Sequence, residues 1–507
     1  MKVLLIPPTH GYEVYPRFLS FSDFPSGFGY LSASLKQAGH KVFGLNPNNV
    51  VGYPNGYMMI QDLITKKIAE VKPDLIGLGG LCTDYAFLKD AIGVIRNTDV
   101  PIVLGGQIVT NDPEDIFKIL KPDYAIIGEA DRAIVTLVNR LKDKPKPCII
   151  KAETPDVEAI PFPDYEPFGI KEMLDEYSIA TRLLYRYSRH NARPYNIVAS
   201  RSCPFSCTFC VHGHDRPKYR ARSISSIMEE IRVSYKKYKF NVVILLDEMF
   251  AVNKKRMNEF SQGVLEGREK YGWDFDWMFQ THASAKLDLE SLKLAKEAGC
   301  FLFSYGLESA SPVVLKSMRK KIKIEQVIEA IELAEEAGVG FAANLIFGDV
   351  AETEDTIAES LAFWLTHGRK SDIFLGTLAP YPGSELFNKC QEMGMFLDKR
   401  EYYETIDKIP INMTKIPDEL YDGFMALNSH LERSWAFVKR AEDISIKKED
   451  KDGLFKTYVG GDYYRITARC PFCKEYSTYV ELINGDSLKL GTGCTWCNRK
   501  IRVEVNK

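Results

Sequence analysis

Three cysteines fall within eight residues near the middle of this 507-residue chain, in the segment Cys203-Pro204-Phe205-Ser206-Cys207-Thr208-Phe209-Cys210. The C-x3-C-x2-C spacing supplies three thiolates, one fewer than close a tetrahedral zinc site or fully ligate a cubane cluster. An iron–sulfur cube held by three cysteines leaves one iron open to a small molecule. That suits a cluster that does chemistry, and not one that only holds a fold together. A second set is built differently: Cys470-Pro471-Phe472-Cys473 and Cys494-Thr495-Trp496-Cys497 are two C-x2-C knuckles separated by 20 residues. Four thiolates so paired close a tetrahedron around one ion, which reads as a zinc ribbon; rubredoxin-type iron uses the same ligands. The default role is to staple a small module, with substrate recruitment or electron relay as alternatives.

The other four cysteines, Cys82, Cys148, Cys300 and Cys390, are scattered and read as reduced, partly buried residues. Hydrophobic residues make up 45% of the chain and charged ones 26%, enough to bury sizeable cores. With 66 Lys+Arg against 68 Asp+Glu, bulk charge gives no case for nucleic acid or an anionic membrane. The apolar run in Met1–Pro8 is too short for a signal peptide, and no stretch approaches the ~18 residues of a membrane span. The expectation is a cytoplasmic protein of about three domains.

Loops that carry such cysteines need strands and helices to hold them. Residues 1–150 alternate β-branched runs at Val3–Ile6, Lys41–Leu45, Leu75–Gly79, Ile102–Leu104 and Tyr124–Ile127 with helical spacing at Gly29–Ala38, Met59–Val71, Ala86–Ile95 and Pro113–Leu120. Gly39 follows the first helix as a C-cap signal. This alternation predicts a doubly wound parallel sheet with ligands at the carboxyl ends of its strands. Gly79-Gly80, Gly105-Gly106 and Gly128 stand at those ends, and no G-x-G-x-x-G opens a helix there. As a set they point to a large flat ligand over the sheet edge. Residues 151–195 read as a linker: Ile160–Tyr165 is Pro-rich, Lys171–Leu184 is helical in pattern, and Tyr185–His190 is basic and aromatic.

Residues 196–390 repeat strand then helix six times, with strands expected at Ile197–Ala199, Val242–Leu246, Phe275–Phe279, Phe301–Tyr305, Gly340–Leu345 and Ile373–Leu378. Six such units predict a partial (β/α)6 barrel whose chemistry gathers at the C-terminal ends of its strands. The three-cysteine motif follows the first of them. Residues 391–462 read as a charged, mostly helical extension with Trp435 and Phe437 as packing anchors, and Lys447–Lys451 as a flexible joint. Residues 463–507 form the four-cysteine ribbon.

Two resemblances sharpen this reading. Leu104-Gly105-Gly106-Gln107-Ile108-Val109-Thr110 and Ile126-Ile127-Gly128-Glu129-Ala130-Asp131 resemble segments of the B12-binding domains that precede radical-SAM domains. The resemblance implies cobalamin held by Gly105, Gly106, Gly128 and Glu129, with the hydroxyl residue Thr83 near the nucleotide tail. The D-x-H-x-x-G signature is absent, as is usual in that family, so His10 and His40 are expected to be ordinary surface or loop residues. The cysteine motif, with Phe209 before its last cysteine, resembles the radical-SAM superfamily. Asp247-Glu248-Met249-Phe250, Gly306-Leu307-Glu308-Ser309, Asn344–Asp349 and Pro380–Leu386 resemble its later strand-end segments in the correct order. This implies a [4Fe–4S] cluster on Cys203, Cys207 and Cys210, and S-adenosylmethionine (SAM) held with help from Phe209, Glu308, Ser309 and Gly348. Where many members carry an arginine, this chain has His282, which could face SAM or substrate.

The resemblance therefore implies a B12-dependent radical-SAM enzyme that methylates an unactivated carbon. Two alternatives stay open: a radical-SAM cyclase or rearrangement enzyme not using cobalamin as methyl carrier, and a catalytically silent cobalamin- or metal-binding adaptor. Methylthiolation of tRNA is disfavoured, since the N-terminal region lacks three cysteines for a second cluster. The implied partners are a small-molecule, lipid or peptide substrate and an electron donor such as ferredoxin or flavodoxin.

Overall fold

The computed structural model describes residues 1–9, 12–14, 25–48, 50, 52–174, 188–189, 192–211, 217–368, 371–396, 398–406, 411–434, 438–451, 456 and 460–506. His10, most of Lys171–Leu184, Tyr185–Tyr187, His190, Trp435 and Phe437 lie outside the described residues. The chain forms two compact units: Met1–Thr181 with Phe209–Pro217 and Pro380–Pro410, and Arg182–Thr208 with Lys218–Ala379 and Ile411–Lys507.

The first unit holds six parallel strands: β1 (Lys2–Ile6), β2 (Lys41–Gly44), β3 (Leu75–Gly79), β4 (Ile102–Gly105), β5 (Tyr124–Ile127) and β6 (Cys148–Lys151). Their order is β2-β1-β3-β4-β5-β6, so the chain reverses direction across the sheet between β1 and β3. A crevice at that switch point, beyond the carboxyl ends of the strands, is where ligands of such sheets bind. The strands read as unbroken apolar runs because both faces are covered. Leu4, Ile76 and Leu104 pack on Ile60, Ile64 and Leu88 from one side, and Val3, Leu75 and Val103 pack on Leu35, Leu137 and Val138 from the other. Each fully buried aliphatic side chain contributes about 1.5–3 kcal/mol.

The sixth strand is not apparent in the sequence: four residues on a sheet edge with exposed ends leave too short a pattern. Cys148, its first residue, is exposed, a correction to the partly buried state expected of it; Cys300 and Cys390 are buried and Cys82 is half-buried.

The second unit is built on six parallel strands: β7 (Pro194–Ile197), β8 (Val242–Leu245), β9 (Asp276–Thr281), β10 (Cys300–Glu308), β11 (Gly340–Phe347) and β12 (Asp372–Thr377). Every neighbour in the sheet is a neighbour in sequence, the topology of an incomplete barrel. Helices Ile224–Tyr238, Lys254–Tyr271, Leu289–Glu297, Ile324–Ala337 and Glu354–His367 join the strands. One sheet face is aromatic and packs on these helices: the Trp277 ring lies 4.8 Å from Phe260, and the Trp277 Nε1–H donates to the carbonyl of Ala298. The other face is closed at its lower end by Val242, Ile244, Met278 and Leu302. Above them, Leu246 and Phe374 remain 44% and 48% exposed, beside the exposed amides of Gln280 and Asn344. Asn344 stands opposite Phe374 in the register of β11 and β12.

Two expectations need correction. The first barrel strand ends at Ile197, earlier than expected, because residues 198–201 leave the sheet: Ser200–Arg201 pairs antiparallel with Arg220–Ala221, and the cysteine motif lies between these two short strands. The region expected to be mostly helical down to residue 462 contains the helices Lys399–Thr405 and Asp418–Ser434 and then a strand, β13 (Glu442–Lys448), which takes in only the first two residues of the joint expected at Lys447–Lys451. Half-buried Ile444 and Ile446 flank exposed Ser445, a period of two partly masked by the charges of Glu442, Asp443, Lys447 and Lys448. β13 joins β14 (Asp462–Arg469) and β15 (Tyr476–Ile483) in an antiparallel sheet, beside the hairpin of β16 (Ser487–Gly493) and β17 (Lys500–Asn506).

Candidate functional site

The three cysteines are half-buried free thiols in one loop. Thr208 anchors this loop: its N–H donates to the carbonyl of Met318 (3.1 Å) and its hydroxyl to that of Ser317. Asp247, just past β8, holds the approach to the loop by accepting from the N–H groups of Ala199 (2.7 Å) and Ser200 (3.0 Å). Burial pushes the Cys207 thiol up, opposed by the positive charge of Lys320.

Glu308 ends β10 in the left-handed region, at φ 67°, after an irregularity in the pairing with β11. A non-glycine residue there stores strain, which functional sites tolerate when packing fixes it. The carboxylate is buried and accepts from Lys320 Nζ at 2.9 Å. Burial pulls the Lys320 ammonium down, but Glu308 and the thiols of Cys207 and Cys203 outweigh it and hold the lysine charged. Gly306 makes room for the pair, since a Cβ there would meet both Lys320 Nζ and Glu308 Oε1. A carboxylate and an ammonium adjoining each other beside the thiols match the two charges of an amino-acid zwitterion. Lys320 was not singled out in the sequence, where it is one cation in the run Arg319-Lys320-Lys321.

Ser309 turns inward; its hydroxyl meets that of Ser360 and accepts the N–H of Ser311, bracketing the turn. Gly348 lies at φ 120°, and a Cβ there would come 2.9 Å from the hydroxyl of Tyr421. Its N–H donates to the buried carboxylate of Glu352, which burial pushes up to about 7. The hydroxyl of Tyr421 and Oδ2 of Asp349 are buried without a protein partner among the described residues.

His282 lies just past β9. Its ring stacks on Phe205, the middle of the three residues between the first two cysteines, with centroids 4.1 Å apart. Nδ1 accepts the backbone N–H of Ser284 (3.1 Å) and lies 3.0 Å from its hydroxyl; Nε2 is buried without a protein partner among the described residues. Burial, and then the charge of Lys320, push the imidazole down to about 4, so it is neutral at physiological pH.

At the carboxyl ends of the first sheet, the glycines serve two ends. Gly79, Gly80 and Gly106 let two loops touch: a Cβ on Gly106 would come 2.6 Å from the backbone of Gly80, and the N–H of Ile108 donates to the Gly80 carbonyl. Gly105 has open space where a Cβ would stand, and exposed Gly128, at φ 86°, would bring one only into ordinary contact with Ala152 at 3.9 Å. Thr110 ties the two resembling segments together, accepting the N–H of Gly128 and donating to the carbonyl of Gly106, both at 3.0 Å. Thr83 is exposed in the turn Cys82–Asp84 after β3, and Glu129 is half-buried. Neither a Cβ at Gly105 nor the exposed Thr83 hydroxyl is covered by a close neighbour, so this edge offers backbone and a hydroxyl to a flat ligand. Pro380–Leu386 also belongs to this unit: Gly383, at φ 93°, packs where a Cβ would come 2.5 Å from Asn111.

The four ribbon cysteines converge, with all Sγ atoms within 4.8 Å of one another. Cys470 and Cys497 are 3.8 Å apart and Cys473 and Cys494 3.6 Å. A tetrahedron with metal–sulfur bonds of about 2.3 Å has edges of about 3.8 Å, so the set fits one ion. The N–H groups of Phe472 and Trp496 donate to Cys470 and Cys494, supporting thiolate charge. Asn498, Arg499 and Lys500 then reach the carbonyl of Gly338, Glu335 and Asp372. Those partners precede β11 or begin β12, so the ribbon docks at the N-terminal ends of the strands. Glu308 and His282 occupy the opposite ends, roughly a strand length of about 25 Å away.

Comparison with known proteins agrees with this geometry. A model of the Radical SAM superfamily matches residues 197–363, and one of the B12 binding domain matches residues 23–138. The chain is 27% identical over 445 residues to the uncharacterized methyltransferase PH0819 of Pyrococcus horikoshii, covering 81% of this chain and 87% of the relative. It is 26% identical over 421 residues to the anaerobic magnesium-protoporphyrin IX monomethyl ester cyclase of Rubrivivax gelatinosus, covering 80% and 71%. Among solved structures it shares its fold with the radical S-adenosylmethionine methyltransferase TsrM of Kitasatospora setae, with TM-score 0.60, 16% identity, and coverage of 77% and 76%. The two domains imply a [4Fe–4S] cluster, SAM and cobalamin. The half-buried cysteine loop, the Glu308–Lys320 charges and the open glycine ends suit those groups. No helix among the described residues is long and apolar enough to cross a membrane. The chain is thus a radical SAM enzyme of the group that carries a B12-binding domain, with a zinc-ribbon-like module toward its C-terminal end.

Proposed function

We propose that this enzyme is a cobalamin-dependent methyltransferase acting on an unactivated carbon of a small molecule. The observation that carries the reading is the cluster of Glu308, Lys320 and the cysteine loop at the ends of a sheet whose face keeps Leu246 and Phe374 exposed, in a chain that also has a B12-binding domain. When bound, cluster and SAM supply a 5′-deoxyadenosyl radical that removes a hydrogen from substrate, and cobalamin carries the methyl group that replaces it.

In this reading Cys203, Cys207 and Cys210 hold the cluster and Phe209 packs beside it. Glu308 takes the amino group of SAM and Lys320 its carboxylate, while Ser309 and Gly348 shape the turns around them. Thr83, Gly105, Gly106, Gly128 and Glu129 hold cobalamin. Leu246, Asn344 and Phe374 receive the substrate, and the surrounding apolar surface keeps water from a reactive radical. Cys470, Cys473, Cys494 and Cys497 bind zinc as a structural ion. An electron donor of the ferredoxin or flavodoxin type reduces the cluster.

The similarity to the Rubrivivax cyclase favours a second reading, radical cyclisation without methyl transfer. Anaerobic reconstitution with iron, sulfide, cobalamin, SAM and dithionite separates the two. Release of 5′-deoxyadenosine that is lost in Cys203→Ala is expected in both cases, and S-adenosylhomocysteine formed alongside it marks methyl transfer. With no 5′-deoxyadenosine above background, both enzyme readings fail and the adaptor reading gains.

A further inference from the structure

The roles given to the cysteines, Glu308 and Lys320 leave a buried hydrogen-bond donor unused beside them. His282 is held from two sides: its ring lies on Phe205, inside the cysteine loop, and it caps the turn Ala283–Ala285 through Nδ1. A backbone N–H can only donate, so the Nδ1 that accepts from Ser284 carries no proton. The neutral ring therefore bears its proton on Nε2. That N–H is buried and meets no protein acceptor among the described residues, an arrangement that costs stability unless something completes it. The charged group that most affects the ring is Lys320, whose ammonium also feels Cys207 and Cys203. His282 thus stands in the same charged neighbourhood as the cysteines. A second cation there would have to be buried beside the first, so an uncharged donor is the economical choice.

We propose that His282 is a cofactor-binding residue that gives an uncharged Nε2–H hydrogen bond to an anionic acceptor at the face of the cluster, either an inorganic sulfide or the carboxylate of bound SAM. The proposal rests on the reading that Cys203, Cys207 and Cys210 hold the cluster. Fixed by Phe205 and Ser284, the donor needs no reorganisation when its acceptor arrives. A hydrogen bond to sulfide favours the more negative, reduced cluster; one to the carboxylate holds SAM in place.

The test uses reconstituted holoenzyme of the parent chain, His282→Phe and His282→Gln, at matched iron and sulfide content. Phenylalanine keeps the stack on Phe205 and removes the donor, whereas glutamine restores an uncharged N–H. The cluster midpoint potential is read by EPR-monitored titration without SAM. SAM affinity is read from the change in the EPR signal of the reduced cluster on titration with SAM. A lower potential in His282→Phe at unchanged SAM affinity assigns the sulfide. About tenfold or more weaker SAM binding at unchanged potential assigns the carboxylate. In either case His282→Gln recovers toward the parent. The proposal is overturned if His282→Phe matches the parent in both readouts, or if Phe and Gln are equally impaired, which marks a packing role. Should His282→Phe not take up the cluster, His282→Ala replaces it in the same comparison. A parent chain that binds no iron on the cysteine loop overturns the cluster reading itself, before any variant is compared.

Discussion

The ammonium of Lys320 lies 2.9 Å from the carboxylate of Glu308, and both side chains are almost wholly removed from solvent. Charges so buried are stable only as a pair, and removing one partner typically costs about 3–5 kcal/mol. Lys320→Met is therefore expected to lower the urea midpoint and weaken SAM binding together, because Glu308 is left unneutralised. Lys320→Met/Glu308→Gln should recover much of the stability and none of the SAM affinity. Denaturation and SAM titration of both variants distinguish a site charge pair from a merely structural one, for which affinity would return with stability.

A second expectation concerns Gly348 and Tyr421. Gly348→Ala adds a methyl group at φ 120°, 2.9 Å from the Tyr421 hydroxyl, so strain and clash add. A destabilisation of about 1–3 kcal/mol from the backbone alone is expected. Tyr421→Phe removes a buried hydroxyl with no protein partner among the described residues and should be nearly neutral by itself. Combined with Gly348→Ala it should recover the clash and leave the backbone cost, a partial rescue that thermal denaturation of the three variants would measure.

What the sequence reveals of this site follows from how local each signal is. The cysteine loop, Glu308 and Gly348 are readable because each belongs to a short segment at a strand end, and all six barrel strands lie within three residues of their expected bounds. Lys320 is not readable: its meaning comes from Glu308 twelve residues earlier, after a chain reversal that hydropathy does not encode. Ser309 is named by its motif, but motif matching does not tell which side of a turn a hydroxyl takes, and this one faces Ser360. The glycines at the first sheet divide in a similar way. Gly106 is explained by the approach of Gly80, whereas Gly105 keeps open space, a difference visible only when the loops are in place. β13 is hidden by its charge: Glu442 and Asp443 at one end and Lys447 and Lys448 at the other leave only Ile444 and Ile446 of the apolar alternation that would mark it.

A third expectation is electrostatic. Burial pushes the Asp247 carboxyl up from 3.8 to about 6, against the N–H groups of Ser200 and Ala199 that favour its charged form. Its folded-state value lies above its unfolded one, so the folded chain binds the extra proton between the two. Asp247's contribution to stability is then greatest below pH 3.8, falls as pH rises to about 6, and is constant above. Two units correspond to about 3 kcal/mol. Asp247→Asn keeps an oxygen for Ala199 and Ser200 and removes the titration. The parent should therefore lose stability relative to this variant between pH 4 and 6, with no further divergence at higher pH. Asp247→Ala leaves two buried N–H groups unpaired and should be destabilised across the whole range. Urea midpoints of the three chains over that pH series decide it.

The ribbon offers the clearest separation of stability from chemistry. Its four cysteines are followed at once by Asn498, Arg499 and Lys500, which contact the segments feeding β11 and β12 at their N-terminal ends. Cys494→Ser removes one of the four thiolates that an ion tying both knuckles would need, and metal binding is a large part of the folding energy of such modules. Hydrogen exchange should rise through β14 to β17 and at Gly338–Phe341, while β1 to β5 stay protected. Glu308 at the carboxyl end of β10 and Gly348 just past that of β11 stand about a strand length away, at the opposite edge of the barrel sheet. Cys494→Ser with a loaded cluster should therefore still form 5′-deoxyadenosine at a rate near the parent's when dithionite is the reductant. Protection unchanged by the substitution would show that the ribbon folds without its ion. A rate lost while protection of β7 to β10 is kept would give the ribbon a part in the chemistry that its position does not support.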